Sequence, residues 1–446
     1  MRLYRTPKSQ QLARLGEQVI PSALTSNWRG FQDHRPTYMS RGEGSRLFDV
    51  DENEYIDFDL SHGPAILGHG HKGLREAIQR QLADLYSPEP NELEIRAAQK
   101  VVEHIASADL VRFTCSGTEA TAGTLRVARA HTGRNMYVRF HGHYHGGQDH
   151  MMGGITPDPD RPIPVPGEYP DDLYTRWTNT MGRSRLSLQE VYMIEWNDLP
   201  SLERLFARYA DDIAAVIMEP VMINHGGCVP EPGYLEGVRE LCTRYGVLLI
   251  FDEVLTGFRI DLKGAQGYFG VTPDLTALGK AVGGGFPISC YAGKREIMGT
   301  LTRCEAVDGG TYFDNPLGMA AMITTIEELE RDDGAAYKVI RALGSALKSG
   351  LDELAHKHEQ PLLLQGFPGS WTVLFTPKRK VINQAGVRGS DFAKAGRFAQ
   401  LMAERGVNVA RRFLISTAHT EKDIHETLGR ADDAMRQLKL EGTSGR

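Results

Sequence analysis

The sequence predicts an α/β fold built around a large, mostly parallel sheet. Two observations predict it. Apolar runs such as Ile213–Met218 recur through the middle of the chain and are near-continuous instead of alternating, as strands covered on both faces are. Between them lie longer segments with helical periodicity, so strand and helix alternate along the chain.

Taken in order, Leu110–Thr114 is a strand, followed by a helix from Thr118 to His131 that Thr132-Gly133 stops. Met136–Phe140 and Ile213–Met218 are further strands, and a helix from Tyr234 to Tyr245 feeds the strand Val247–Phe251. The ends of the chain differ. Arg46 to Phe58 carries an acidic, Asn-containing turn between short apolar runs, which predicts a hairpin. After Asn315-Pro316 come long helical stretches to about His358, a short-strand region, and helices from about Asp391 to Arg405 and Glu421 to Leu438. Residues 61–320 are therefore expected to form a large α/β/α domain, and residues 1–60 and 321–446 a small α+β domain. Residues 153–174, rich in Pro, Asp and Gly, read as a long loop of the kind that can serve as a lid. The tail from Glu441 to Arg446 is expected to fray.

Composition narrows the function. The chain of 446 residues is long enough for two or three domains at roughly 150 residues each. Its net charge of −6 argues against nucleic acid as the main partner. No apolar run reaches the length of a membrane span, and Met1–Lys8 lacks the apolar core of a secretory signal. The five cysteines are scattered and form no CxxC pair, which is the pattern of reduced, cytoplasmic thiols.

The chemistry-bearing residues fall at strand ends. Asp252 ends an apolar strand, where a carboxylate is costly without a partner. A protonated pyridine nitrogen is one suitable partner; a following turn capped by the carboxylate is the plainer alternative. Lys280 stands among small residues, before Gly283-Gly284-Gly285, where backbone can approach a ligand closely. A lysine withdrawn from water becomes a nucleophilic amine suited to Schiff-base formation. A phosphate-binding P-loop around Gly279-Lys280 is excluded, because Asp274 stands where its first glycine belongs and Ala281 where its Ser or Thr belongs. Cys115-Ser116-Gly117-Thr118-Glu119-Ala120 follows a strand and opens a helix, the setting in which free amides and the helix dipole bind a phosphate. A plain helix cap is equally consistent with it. Tyr144 is an aromatic that could stack on a planar cofactor.

Two further patterns carry less. Gly68-His69-Gly70-His71-Lys72-Gly73 matches a dinucleotide glycine motif, yet lacks the ribose-binding acid. His141, His143 and His145 share one face of an extended segment, but no nearby acid or cysteine completes a ligand set, so no metal is expected.

In combination these motifs resemble the class III aminotransferases, which are fold-type I pyridoxal phosphate enzymes, and within them the glutamate-1-semialdehyde 2,1-aminomutase branch. The resemblance runs from about Ile20 to Leu438. It rests on Ser116–Ala120, Tyr144-His145-Gly146, Glu219-Pro220-Val221, Asp252–Arg259, Pro273–Lys280, Gly309-Gly310-Thr311 and Asn315-Pro316. It implies pyridoxal 5′-phosphate as cofactor, bound to Lys280 as a Schiff base, with Asp252 on the pyridine nitrogen. It implies that Gly117 and Thr118 hold the phosphate beside Ser116, that Tyr144 stacks on the ring, and that Glu219 lies near its phenolic oxygen. It further implies a homodimer in which Thr311 reaches the phosphate of the neighbouring subunit. Trp28-Arg29-Gly30-Phe31 aligns with a segment whose arginine binds the substrate carboxylate, so Arg29 is the leading clamp. Two segments depart from the aminomutase pattern. Val409–Leu414 brings Arg411 and Arg412 where that branch carries a Ser-x-Phe-Glu stretch, and Ser61-His62-Gly63-Pro64 replaces Ser-Trp-Gly-Pro. Similar β-amino-acid aminotransferases carry an arginine in the first of these. The resemblance thus implies amino-group transfer between a carboxylate-bearing amino acid, α or β, and an oxo acid. The aminomutase reaction is the first alternative, and a cofactor-binding regulator without catalysis the second.

Overall fold

The computed structural model describes residues 3–26, 37–152 and 183–443. The chain divides into two compact units. The larger comprises Gly73–Tyr337 with Val381–Gly389, and the smaller comprises Met1–Lys72, Lys338–Lys380 and Ser390–Arg446. These limits differ from the expected 61 and 320, and the segment 381–389 joins the larger unit.

The larger unit holds a seven-stranded sheet. Its strands are β1 (Leu110–Thr114), β2 (Met136–Phe140), β3 (Val191–Ile194), β4 (Ile213–Met218), β5 (Leu248–Glu253), β6 (Leu275–Leu278) and β7 (Ser289–Gly293). Their order across the sheet is β1-β7-β6-β5-β4-β2-β3. The run from β6 to β3 is parallel, while β7 is antiparallel to both β1 and β6. Every residue of β4 and of β6 is buried, which is why those strands read as unbroken apolar runs. Three strands, β3, β6 and β7, were not legible as such. β3 and β6 are only four residues long, and β7 is Ser-Cys-Tyr-Ala-Gly, with little apolar signal.

Helix α1 (Gly117–Thr132) leaves the end of β1 and buries Ala120–Leu125, Val127 and Ala128. Its small residues let it approach the sheet: a Cβ on Gly123 would run into the ring of Tyr291 on β7. Ser116 caps its start, accepting the Glu119 N–H at 3.3 Å and donating to Glu119 Oε2 at 2.8 Å. Gly133 ends it in the left-handed region at φ 68°. The topology has one decisive consequence. β1, β2, β4, β5 and β6 all point the same way, so the segments after each of them emerge at one edge of the sheet, where open α/β folds place ligands.

The smaller unit contains two sheets. In one, Met39–Glu43, Arg46–Asp49 and Glu54–Asp57 form the expected antiparallel hairpin region, and Val407–Asn408 adds in parallel. In the other, Leu362–Phe367, Ser370–Phe375 and Arg412–Leu414 pair antiparallel. Helices Phe392–Ala403 and Glu421–Thr443 complete it, the latter running into the tail expected to fray. The Gly68–Gly73 turn is knitted to the hairpin: His69 and Gly44 exchange backbone hydrogen bonds at 2.7 and 2.8 Å, and His69 Nε2 meets Asp57 Oδ2 at 2.7 Å. That glycine motif therefore does structural duty. The long helical stretch spans Pro316–Lys357 but breaks at Arg331–Gly334, where Asp332, Asp333 and Gly334 all have positive φ. No helix among the described residues is long and apolar enough to cross a membrane.

Candidate active site

One cavity in the larger unit is lined by Lys280, Asp252, Glu219, Tyr144, Gly117 and Thr118. Each comes from the carboxyl end of a different strand, or from the helix start after one. Asp252 lies near the end of β5, and Glu219 directly follows β4. Tyr144 is in the loop after β2, Lys280 is two residues beyond β6, and Gly117 opens α1 after β1.

Asp252 is 4% exposed. Its Oδ1 accepts the Val254 N–H at 3.0 Å, and its Oδ2 lies 2.7 Å from His145 Nδ1. Burial pushes its carboxyl pKa well above the ordinary carboxylate range; the Val254 amide and the Lys280 charge pull the other way. Glu219 is raised as well, first by burial and then by the charge of Asp252. Its Oε1 accepts the Tyr144 N–H at 2.8 Å and its Oε2 the Asn224 N–H at 3.4 Å. Two carboxyls that both resist ionisation beside one half-buried lysine form a site poised for a cation or a proton donor.

Lys280 has φ 48°, in the left-handed region that costs a side-chain-bearing residue of order 1–3 kcal/mol. It follows Gly279, whose backbone is extended and whose missing Cβ would lie 2.7 Å from Ser289 Oγ. The strained turn directs the lysine from the end of β6 toward the cavity it lines.

The start of α1 forms a cradle. Gly117 and Thr118 are the first two residues of the helix, so their amides have no acceptor within it. A Cβ on Gly117 would lie 2.7 Å from Val254 Cγ1. The Thr118 hydroxyl accepts the Gly147 N–H at 3.3 Å. Ser116 is not on the cavity wall; its hydroxyl is engaged with Glu119.

None of the remaining sequence candidates among the described residues lines that cavity. Thr311 is exposed and lines a separate depression with Arg112 and Phe313. Arg412 belongs to the second sheet of the smaller unit, where it is half-buried and its charge helps hold the Asp59 carboxyl below its usual range. Asp59 also accepts the His62 N–H at 2.9 Å and pairs with His62 Nδ1 at 3.3 Å. Arg411 is exposed. Arg29 and the loop 153–174 fall outside the described residues.

His145, Asn224 and Thr256, which also line the cavity, were not singled out as cofactor contacts in the sequence. His145 carried a signal, as one of three closely spaced histidines, but its partner is a carboxylate 107 residues away. Apart from this site, Glu103, His104 and Glu330 cluster closely enough to hold a cation. Lys100 Nζ already lies 2.7 Å from Glu330 Oε2 and supplies that charge.

The family model for aminotransferase class-III matches residues 31–427. The chain belongs to the class III aminotransferases. It is similar to a glutamate-1-semialdehyde 2,1-aminomutase from Desulforudis audaxviator, with 38% identity over 96% of this chain and 98% of that protein. Its fold matches an omega-transaminase from Sphaerobacter thermophilus with a TM-score of 0.88, at 30% identity over 96% and 97% of the two chains. It also matches a glutamate-1-semialdehyde aminomutase from Pseudomonas aeruginosa, in a lysine-to-alanine variant bound to PMP. There the TM-score is 0.84 and the identity 26%, over 97% and 95% of the chains. The fold is that of the fold-type I transferases, and the cofactor of this family is pyridoxal 5′-phosphate. The cavity fits that group: a buried carboxyl whose ionisation a cation would favour, a helix start without a side chain at Gly117 that can meet a phosphate, and a lysine all line it.

Proposed function

We propose that this protein is an aminotransferase that moves an amino group between a carboxylate-bearing amino acid, α or β, and an oxo acid. What carries the reading is that Lys280, Asp252 and the start of α1 line one cavity. Pyridoxal phosphate, when bound, supplies an electron sink for the charge left as a proton leaves the amino-bearing carbon. Asp252 holds the proton on the ring nitrogen. The Gly117 and Thr118 amides donate to the phosphate, with Ser116 beside them fixing the helix start. Tyr144 covers one face of the ring. Glu219, whose ionisation burial opposes, would lie near the ring's phenolic oxygen. Lys280 Nζ would hold the cofactor and, once freed as an amine, would accept the proton that leaves the donor carbon. Thr311, exposed on its own subunit, reaches the phosphate of a second copy, so the working unit is a homodimer. Arg29 and Arg412, with Arg411 next to it, are the proposed carboxylate clamps, since a guanidinium fork matches that group.

Transfer is favoured over internal rearrangement by the two departures. His62, paired with Asp59, stands where the aminomutase pattern has tryptophan, and Arg411-Arg412 stand where it has a Ser-x-Phe-Glu stretch. The second reading is glutamate-1-semialdehyde aminomutase itself, favoured by the 38% identity to a protein of that name. Purified, cofactor-loaded protein decides between them. An amino group passed from a donor to an added oxo acid supports transfer. Conversion of the semialdehyde to 5-aminolevulinate with no donor added, and no transfer to any oxo acid, overturns it.

A further inference from the structure

We propose that a second binding site lies at the other ends of the strands from the cofactor cavity, and that it takes a phosphate group, free or carried by a small metabolite. The site is a cavity of about 400 Å³ whose wall includes Arg134, Arg239, Lys294, Asp274 and His131. That volume suits a small molecule.

Chain direction brings these residues together. Arg134 lies between α1 and β2, Asp274 directly precedes β6, and Leu248, which also lines the cavity, begins β5. β7 runs the other way, so Lys294, which follows it, arrives at the same ends. Arg239 comes from the helix Tyr234–Tyr245, which leads into β5. The cofactor cavity draws on the carboxyl ends of these strands, and the two cavities share no lining residue.

The cavity carries more positive charge than its own residues neutralise. Among the described residues, Asp274 is the one acid on its wall. Asp274 Oδ2 accepts from Arg239 Nη1 and from the Leu249 N–H, each at 2.8 Å, and its Oδ1 accepts from Lys294 Nζ. Burial alone would raise that carboxyl; the Leu249 amide, Lys294 and Arg239 outweigh it and hold the pKa below the usual range. Asp274 is therefore anionic, and three cations with one anion leave a surplus of two positive charges. Arg134 has no carboxylate partner among the described residues. Its Nη1 donates to the backbone carbonyls of Ile213 at 3.2 Å and Gly246 at 2.8 Å, which pins the guanidinium beside the starts of β4 and β5. A purely structural staple uses that nitrogen alone. Nε and Nη2, the edge that grips an oxyanion with two parallel hydrogen bonds, have no partner among the described residues. Arg239 is likewise held, with Nε on Thr243 Oγ1 at 3.2 Å, and its Nη2 is left over. A concave wall with fixed donors and a double positive surplus attracts a dianion. A phosphate ester carries about −1.5 to −2 charges at neutral pH and offers three acceptor oxygens.

The test titrates cofactor-loaded protein, in a chloride buffer of low ionic strength, with inorganic phosphate and separately with glycerol phosphate, and follows the heat of binding. Saturable binding is expected. Arg134→Gln and Lys294→Gln should each weaken it about tenfold or more, with the cofactor's absorbance unchanged. Arg134→Lys keeps the charge without the planar fork and should bind more weakly than the wild type. The Lys294 side chain is 45% exposed, so its variant keeps the proposal open to refutation if the Arg134 variants fail to fold. Tighter binding of the ester supports the site with a phosphorylated metabolite as its ligand, and equal binding supports it with free phosphate. No saturable binding of either probe overturns the proposal. So does binding that is unchanged in Lys294→Gln or in a folded Arg134→Gln, since the phosphate would then sit elsewhere.

Discussion

Replacing Asp252 with Asn removes one charge and almost no volume from the cavity. Asp252 is 4% exposed, so its charge is little screened by solvent. Neutralising one partner of a buried ion pair costs about 3–5 kcal/mol. At about 1.4 kcal/mol per factor of ten, that is a loss of about a hundredfold to a few thousandfold. Single-turnover mixing of the loaded variant with an excess of amino donor, followed by the cofactor's absorbance, should show a slowing of that size. In the cofactor-free protein the sign reverses. Burial raises the Asp252 carboxyl above its unfolded value. The folded state therefore binds more protons than the unfolded state between about pH 3.9 and the raised value. The stability Asp252 contributes is full below that window and is lost as pH rises through it. The Asn variant cannot ionise, so without cofactor it should melt higher than the wild type at pH 8 and close to it at pH 4. A loaded variant reacting within about tenfold of the wild type would refute the ion-pair reasoning, since that is under half of the smallest loss expected.

Gly117→Val should weaken cofactor binding by about tenfold or more, because a Cβ there meets Val254 Cγ1 at 2.7 Å and the helix start must move; equilibrium dialysis measures it. Thr311→Arg and Lys280→Ala should each be inactive alone, yet co-expressed chains should recover activity, since a Lys280 site can borrow Thr311 from its partner; no recovery would place Thr311 outside the neighbouring site. Arg412→Ala should raise the KM of carboxylate-bearing donors by about tenfold to a hundredfold and leave kcat nearly unchanged; steady-state kinetics against an amine without a carboxylate, which should be unaffected, isolates the effect.

The strands that carry the site were legible because they are buried on both faces. Ile213–Met218 and Met136–Phe140 matched the expected limits residue for residue. β7 was not legible, because Ser-Cys-Tyr-Ala-Gly carries little apolar signal; its Tyr291 ring packs against Gly123 of α1. Among the described strands of the large sheet, β7 is also the one antiparallel strand. Of the expected cofactor residues, Lys280, Asp252, Glu219, Tyr144, Gly117 and Thr118 share the cavity, and Ser116 stands behind it as a cap. Motif spacing could gather these because each follows its own strand. What spacing could not show is how the side chains pair. His145 looked like one of three metal candidates, while the fold turns it onto Asp252. The strain at Lys280 was equally hidden, since φ is set by the turn that Gly279 and the glycines after it allow.

The central claim is that Lys280 is the residue that anchors the cofactor. Borohydride reduction of the loaded protein, followed by digestion and mass spectrometry, tests it directly. The account predicts a pyridoxyl group fixed on the peptide containing Lys280 and on no other lysine. A label on another lysine, or none on a protein shown to be fully loaded, would contradict it.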